Sequence, residues 1–472
     1  MSKRKRRAVK TFENVSVVDA GARGKSVAKT DEGEVIFLSD AVPGDVVDIQ
    51  TFKKKKNYYE GRVTRIVTPS TRRVEPVCKH FSVCGGCKWQ HMGYQDQLYF
   101  KQKEVVENLT RIGHLTLPEI TPILGADEQY YYRNKMEFSF SANRWLTLEE
   151  INSGEQIDDK QALGFHIPGM WDKILHLDEC HLHPSIGEKI RLAAHKFAIQ
   201  NNISYFNPRE KTGMLRTLML RMSSTGENMV VVQCFEDQPE KRTALLDFLK
   251  SEFTEITSLQ YIINSKANDT IYDQEVICYH GNDHIFEEME GLRFKINAKS
   301  FYQTNSKQAE RLYSVTRELA GLTGSELVYD LYTGTGTIAQ YIARNAGHVV
   351  GIEAIPVAIE DAKSNARTNK ITNTTFVSGD MKDVFTTNFI KEHGSPDVVI
   401  TDPPRDGMHK DVVAQLLLLQ APKIVYVSCN SATQARDLEL LSGAYDITHV
   451  QPVDMFPQTH HVENVVLLEL KS

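Results

Sequence analysis

From residue 326 onward, short apolar runs recur between segments of helical spacing: Glu326–Leu331, Val349–Ile352, Thr375–Val377, Asp397–Ile400, Lys423–Val427 and Val465–Leu470. Apolar runs of this length, bounded by turn residues and alternating with helical periodicity, predict a doubly wound α/β layer. Residues 11–68 carry another pattern. The runs Val15–Val18, Glu34–Leu38, Asp45–Ile49 and Arg62–Val67 are separated by turn residues with no helical period, which predicts a small OB-like β-barrel. Between these regions, strand and helix signals mix without a clean period, and an α+β unit is expected. The chain therefore divides into a basic arm (1–10), a barrel (11–68), a central α+β region (69–290) and a Rossmann-like region (291–472).

Composition adds exclusions. With 472 residues, 41% hydrophobic and 25% charged, the chain has room for several globular cores and is neither fibrous nor wholly disordered. Runs such as Leu416–Leu419 are far too short to cross a bilayer, which takes about 20 apolar residues. No apolar stretch follows the N-terminal charges, so no secretory signal is expected, and a cytoplasmic location is. The seven cysteines then read as thiols or ligands rather than a disulfide framework. The net charge of −6 conceals an asymmetry: residues 1–75 hold 17 Lys and Arg against 10 Asp and Glu, whereas the remainder holds 38 against 51. The run Lys53–Lys56 beside Tyr58 and Tyr59 pairs cations with rings, as single-stranded nucleic-acid grooves do; the alternative is a solvated charged hairpin. Because cation contacts govern salt dependence, deleting residues 1–68 is expected to flatten the salt dependence of any nucleic-acid binding.

Three stretches carry candidate chemistry. After the first strand of the last region, Gly334-Thr-Gly336-Thr-Ile-Ala339 forms a G-x-G-x-x-A turn into a helix, and Glu353, ending the next strand, can accept both hydroxyls of a ribose. This arrangement fits NAD or S-adenosylmethionine. Cys78, Cys84 and Cys87, with Cys180 as a fourth thiolate, match an iron–sulfur cluster or a zinc site, and three coincidentally close buried thiols remain the alternative. Cys429 follows a strand at its carboxyl end, where α/β crevices lie, while Asp402-Pro-Pro-Arg405 closes the preceding strand and brings an acid and a cation to the same rim.

Asp402-Pro-Pro-Arg-Asp-Gly407, Ile424-Val-Tyr-Val-Ser-Cys-Asn-Ser-Ala-Thr433 and Asp454-Met-Phe-Pro-Gln-Thr-His-His-Val-Glu463 resemble the signatures of the RNA uridine-5-methyltransferases, and Ser300-Phe-Tyr-Gln-Thr-Asn305 is similar to that family's stretch before its methyltransferase fold. The barrel and cysteine pattern resemble its ribosomal RNA branch, with a TRAM domain and a 4Fe-4S cluster on Cys78, Cys84, Cys87 and Cys180. Thr333 and Ser431 depart from the common Cys and Pro of the family. The resemblance implies methylation of uridine carbon 5 in 23S ribosomal RNA, with Cys429 as nucleophile and Glu463 as base, and nothing in the sequence demands more than a monomer. Cofactor contacts would fall to Gln303, Tyr332, Gly334, Gly336, Glu353, Asp380 and Asp402, and RNA contacts to Arg133, Lys135 and Arg405. A helix N-cap is the other reading of Asp380, and solvated charge that of Arg133 and Lys135. Transfer RNA as substrate, methylation of an exocyclic amine, a non-catalytic assembly factor and an NAD dehydrogenase are the competing functions.

Overall fold

The computed structural model describes residues 10–157 and 160–472; the basic arm expected over residues 1–10 lies, except for Lys10, outside them. Five strands come first: β1 (Thr11–Ala20), β2 (Ser26–Lys29), β3 (Val35–Ser39), β4 (Val46–Lys54) and β5 (Tyr59–Thr68). They close a barrel in the order β1-β2-β3-β5-β4. Val15, Val17, Ile36, Leu38, Val47 and Ile49 fill it, each pair two residues apart, as the period of a strand requires. Gly61 is fixed by a close approach, since a Cβ there would come within 2.9 Å of Ile49 and 3.1 Å of the Gln50 carbonyl. The barrel rests on a small cluster of Val42, Trp89, Met92 and Phe100.

Helix α1 (Tyr94–Arg111) buries Gln97, Phe100, Lys101, Val105 and Leu109 along one stripe. That stripe does not join the central region in which it lies in sequence. Val105 and Leu109 pack into the core of the C-terminal sheet, and Leu124 bridges in parallel to Val453.

The central sheet has eight strands: β6 (Lys135–Ser141), β7 (Arg144–Trp145), β8 (Ala162–His166), β9 (Ile174–His176), β10 (Leu215–Met222), β11 (Asn228–Cys234), β12 (Ile256–Ile263) and β13 (Ile277–Gly281), ordered β13-β12-β11-β10-β6-β8-β9-β7. Among its helices, α2 (Leu148–Asn152) starts with a capping box at Thr147, while α3 (Ser185–Gln200) and α4 (Pro239–Glu252) share the core beneath the sheet. The hairpin β14 (His284–Met289) and β15 (Leu292–Asn297) leads out.

Helix α5 (Ser306–Ala320) then opens the expected α/β layer, comprising β16 (Leu327–Leu331), α6 (Thr337–Ala343), β17 (His348–Glu353), α7 (Pro356–Thr368), β18 (Thr374–Ser378), α8 (Met381–Val384), α9 (Thr387–His393), β19 (Val398–Thr401), α10 (Lys410–Leu419), β20 (Lys423–Ser428), α11 (Ser431–Leu441), β21 (Tyr445–Val453) and β22 (Glu463–Leu470). The strand order is β18-β17-β16-β19-β20-β22-β21. Alternate side chains of each parallel strand enter opposite cores: Val328 joins α5, α6 and α7, whereas Tyr329 joins α1, α10 and α11. Chain order reverses between β16 and β19, so a crevice opens at their carboxyl ends. Strand β21, absent from the sequence reading, is an antiparallel outer strand whose polar alternation and Pro452 mask its apolar pattern.

Candidate active site

Every residue that the glycine loop, the two acid-bearing turns and Cys429 contribute lies at this carboxyl edge. The loop leaves β16 through Tyr332, Gly334 and Gly336, all with left-handed φ (64°, 56° and 74°). Nothing lies within 4 Å of a Cβ built at Gly334, so the loop leaves an open cradle, whereas a Cβ at Gly336 would press on Ala362 and Phe376 at 2.9–3.0 Å. One oxygen of Glu353 accepts from the Gly334 N–H at 3.1 Å, and the other from Ile355 N–H at 2.9 Å, which fixes the carboxylate beside the cradle. The Thr333 hydroxyl donates to Asp330, whose second oxygen is buried and unpaired among the described residues. Burial raises Asp330 to about 7. An open cradle, a carboxylate for a ribose and an orphaned buried acid that favours a cation together fit S-adenosylmethionine. Sequence reasoning passed over Asp330, although an acid inside the apolar run of β16 was the available signal.

Asp380 caps α8, accepting from the Lys382 N–H at 3.2 Å, and pairs with the same lysine's ammonium. It is nonetheless in the wall of a cavity of about 190 Å³ that Tyr332, Pro404 and His409 also line.

Cys429 follows β20 immediately. Its neighbour Asn430 caps α11 through the Ala432 N–H at 3.1 Å, and Ser431, where the family commonly has Pro, accepts a bond from Asn108 of α1 at 2.8 Å. Burial pushes the Cys429 thiol up to about 11, with Glu463 and Asp402 adding to the rise and the Arg405 guanidinium opposing it. Asp402, partly accessible at the end of β19, is raised to about 7 by burial. Glu463 is 5% exposed, and burial with the nearby Asp402 raises its carboxyl well above the ordinary range. Two acids and one thiol thus share a site short of water, with the Arg405 guanidinium as the cation that favours the thiolate.

The segment from Asp454 to Val462 is held from outside the α/β layer. Asp454 and Lys101 are fully buried and paired at 2.6 Å, and the Tyr94 hydroxyl donates to the second Asp454 oxygen at 2.9 Å. Lys101 also donates to the Phe456 carbonyl, Gln97 to the Gln458 side chain, Tyr132 to the Pro457 carbonyl and Asn305 to the Met455 carbonyl. Gln303 is tied through its carbonyl to Asn134 at 2.9 Å. Arg133 lies 5.7 Å over the Phe456 ring and, with Arg405, depresses His461 to about 4 after burial, so both arginines border the same rim. Lys135 is ion-paired to Glu137 and its pKa is lowered by burial.

Cys78, Cys84, Cys87 and Cys180 line one cavity of about 570 Å³ with Arg133 and Lys135. The donors fit a cluster in kind and number, and burial raises all four thiols, Cys87 and Cys180 to about 12. Among the described residues, however, no group of three or more His, Cys, Asp or Glu is arranged to hold a metal ion. The expected metal centre is therefore not assembled by the side chains as they stand.

No helix among the described residues is long and apolar enough to cross a membrane. The profile of the tRNA (uracil-5-)-methyltransferase family matches residues 222–471, and that of the TRAM domain residues 6–64. An uncharacterized RNA methyltransferase of Bacteroides thetaiotaomicron is 56% identical over 453 residues, covering 95% of this chain and all of its own, and one of Porphyromonas gingivalis is 53% identical, covering 96% and 99%. The crystal structure of Pyrococcus abyssi tRNA (uracil-54, C5)-methyltransferase in complex with S-adenosyl-L-homocysteine superposes with a TM-score of 0.74 at 27% identity, over 96% of this chain and all of that one.

Proposed function

The chain belongs to the RNA (uracil-5-)-methyltransferase family, and on that premise we propose that it methylates carbon 5 of a uridine in 23S ribosomal RNA through a covalent bond between Cys429 and carbon 6. The carrying observation is the meeting of Cys429, Glu463 and Asp402 at one buried sheet edge. S-adenosylmethionine, when bound in the cradle of Gly334, Gly336 and Glu353, supplies an electrophilic methyl group on a sulfonium. Tyr332, Asp380 and Gln303 border that cofactor, and Asp402 orients it or the uracil edge.

Carbon 5 of intact uracil is a poor nucleophile. Addition of the Cys429 thiolate at carbon 6 makes an enolate, and its carbon 5 takes the methyl group. Glu463 then removes the carbon 5 proton, the carbon 5–carbon 6 double bond re-forms and the thiolate leaves. A carboxyl raised by burial is the stronger base for that step, and Arg405 beside the sulfur stabilises the thiolate. The target base must leave its stack to reach this edge, and Arg133, Lys135 and Arg405 hold the displaced backbone. Cys78, Cys84, Cys87 and Cys180 would hold a 4Fe-4S cluster once deprotonated, with a role in shaping the central region rather than in methyl transfer. The shared cavity supports this assignment.

Transfer RNA is the second reading, favoured by the match to a transfer RNA enzyme across the whole chain. Mapping 5-methyluridine in ribosomal and transfer RNA from a deletion strain separates the two. A missing mark in 23S RNA, restored by the wild-type gene and not by Cys429→Ala, is expected; a mark lost only from transfer RNA overturns the substrate, and restoration by Cys429→Ala overturns the mechanism.

A further inference from the structure

Beside the cysteine cavity lies a second recess of about 280 Å³. Its floor is one face of the central sheet, with Thr217, Met219 and Arg221 alternating along β10. Its far wall is the segment Ala298–Tyr302, directly before Gln303, and Lys135 and Thr304 border both this recess and the cysteine cavity. The two hollows therefore adjoin along Lys135, Glu137 and Thr304.

The recess is unsatisfied inside and lined by an exposed ring. Arg221 is 4% exposed; its Nη2 donates to the Ser300 carbonyl at 2.5 Å, but its Nε is buried with no partner among the described residues. The buried hydroxyl of Tyr302, in the same wall, has no partner either. Buried donors left unpaired cost free energy, so the recess is built to receive acceptors. The charged groups around Arg221 are mixed: Glu137 from β6, Glu287 from β14 and, in the lining, Asp269 stand beside Lys135 and Lys299, which line the same recess. The carboxylates of such a wall can accept from N–H groups. Tyr272, which also lines the recess, is 74% exposed.

We propose that this recess is a second nucleotide subsite, which takes one unstacked base of the RNA near the target uridine, its ring against Tyr272 and its carbonyl and N–H edge toward Arg221 and Tyr302. The inference rests on the RNA-methylating reading above. Extruding one base unstacks its neighbours, and a second docking point offsets that cost while fixing the strand's register.

The test uses the full chain and single-stranded decauridylate as probe. Tyr272→Ala, a surface change, is expected to weaken decauridylate binding by about fivefold or more, the lower end of what one base stacked on a ring contributes, while Tyr272→Trp retains binding and S-adenosylhomocysteine affinity stays unchanged in both. Decauridylate carrying 4-thiouridine is expected to photo-cross-link to peptides spanning 269–272 or 215–222. Binding by Tyr272→Ala within twofold of wild type, or the absence of cross-links to both peptides, overturns the subsite. If the wild type binds and cross-links this way but methylates no RNA, the enzymatic reading falls and the subsite stands; if it methylates RNA and Tyr272→Ala binds normally, the reverse holds.

Discussion

Cys429 and Glu463 stand next to the last rung of the ladder between β20 and β22, where Ser428 pairs with Asn464. Two antiparallel neighbours therefore deliver a thiol and a carboxyl to the same sheet edge, one at the end of its strand and the other at the start. If Glu463 removes the carbon 5 proton after methyl transfer, its loss blocks release but not addition. Glu463→Gln is thus expected to accumulate a covalent protein–RNA species, retarded on denaturing gels and dissolved by ribonuclease, whereas Glu463→Gln/Cys429→Ala forms none. A Glu463→Gln protein that turns over normally, without adduct, excludes the carboxyl from the base role.

The thiol's environment gives a pH signature. Burial and the charges of Glu463 and Asp402 hold Cys429 at about 11, so in the free protein its reactivity should climb with pH through and beyond pH 9. Asp402, near 7, is ionised over that range. Removing its charge in Asp402→Asn lowers the thiol pKa and moves the alkylation profile to lower pH. Iodoacetamide labelling, followed by mass spectrometry of the Cys429 peptide, reads the shift; an unchanged or upward-moving profile contradicts the electrostatic account.

Lys101 and Asp454 make a buried pair that joins α1 to the segment leading to Glu463. Removing one partner strands the other charge, at a cost of about 3–5 kcal/mol. Lys101→Met should lower stability by that amount in urea unfolding, and Lys101→Met/Asp454→Leu should recover much of it, since the double change leaves no orphaned ion. Equal destabilisation by the single and double variants would mean that the pair's geometry, not its charge balance, holds the segment.

This pair also marks where the sequence stopped being legible. The parallel strands were readable because both of their faces are buried, so Val398–Thr401 and Lys423–Ser428 are continuous apolar runs. The position of Cys429 followed from the end of such a run. Lys101 was not readable: a lysine four residues from Gln97 and Val105 on a helix stripe looks like a break in amphipathicity until its partner, 353 positions away, is known. Nor does composition show that α1 belongs to the C-terminal core, because that choice is made by Val105 and Leu109 against α11. Arg221 was hidden for a related reason, since alternation in β10 makes it one more residue of a strand with nearly every position buried.

The barrel's charge also looks different once its partners are seen. Several of its cations are already engaged: Lys53 and Lys25 with Glu60 at 3.3 and 3.4 Å, Lys10 with Glu34 at 3.0 Å and Arg65 with Asp48 at 2.8 Å, while Lys54 lies 5.2 Å from the centre of the Tyr59 ring. Lys55 and Lys56 are exposed at the β4–β5 turn and carry no ion pair among the described residues. Deleting residues 1–68 would uncover Trp89 and Phe100 as well as remove charge, so point changes give the cleaner measurement. Each cation that contacts a single strand contributes about 0.7 to the slope of log K against log salt. Lys55→Gln/Lys56→Gln should therefore reduce the slope for RNA binding by about 1.4 if both touch phosphate. Filter binding across a potassium chloride series measures it, and an unchanged slope moves the phosphate contacts off this turn.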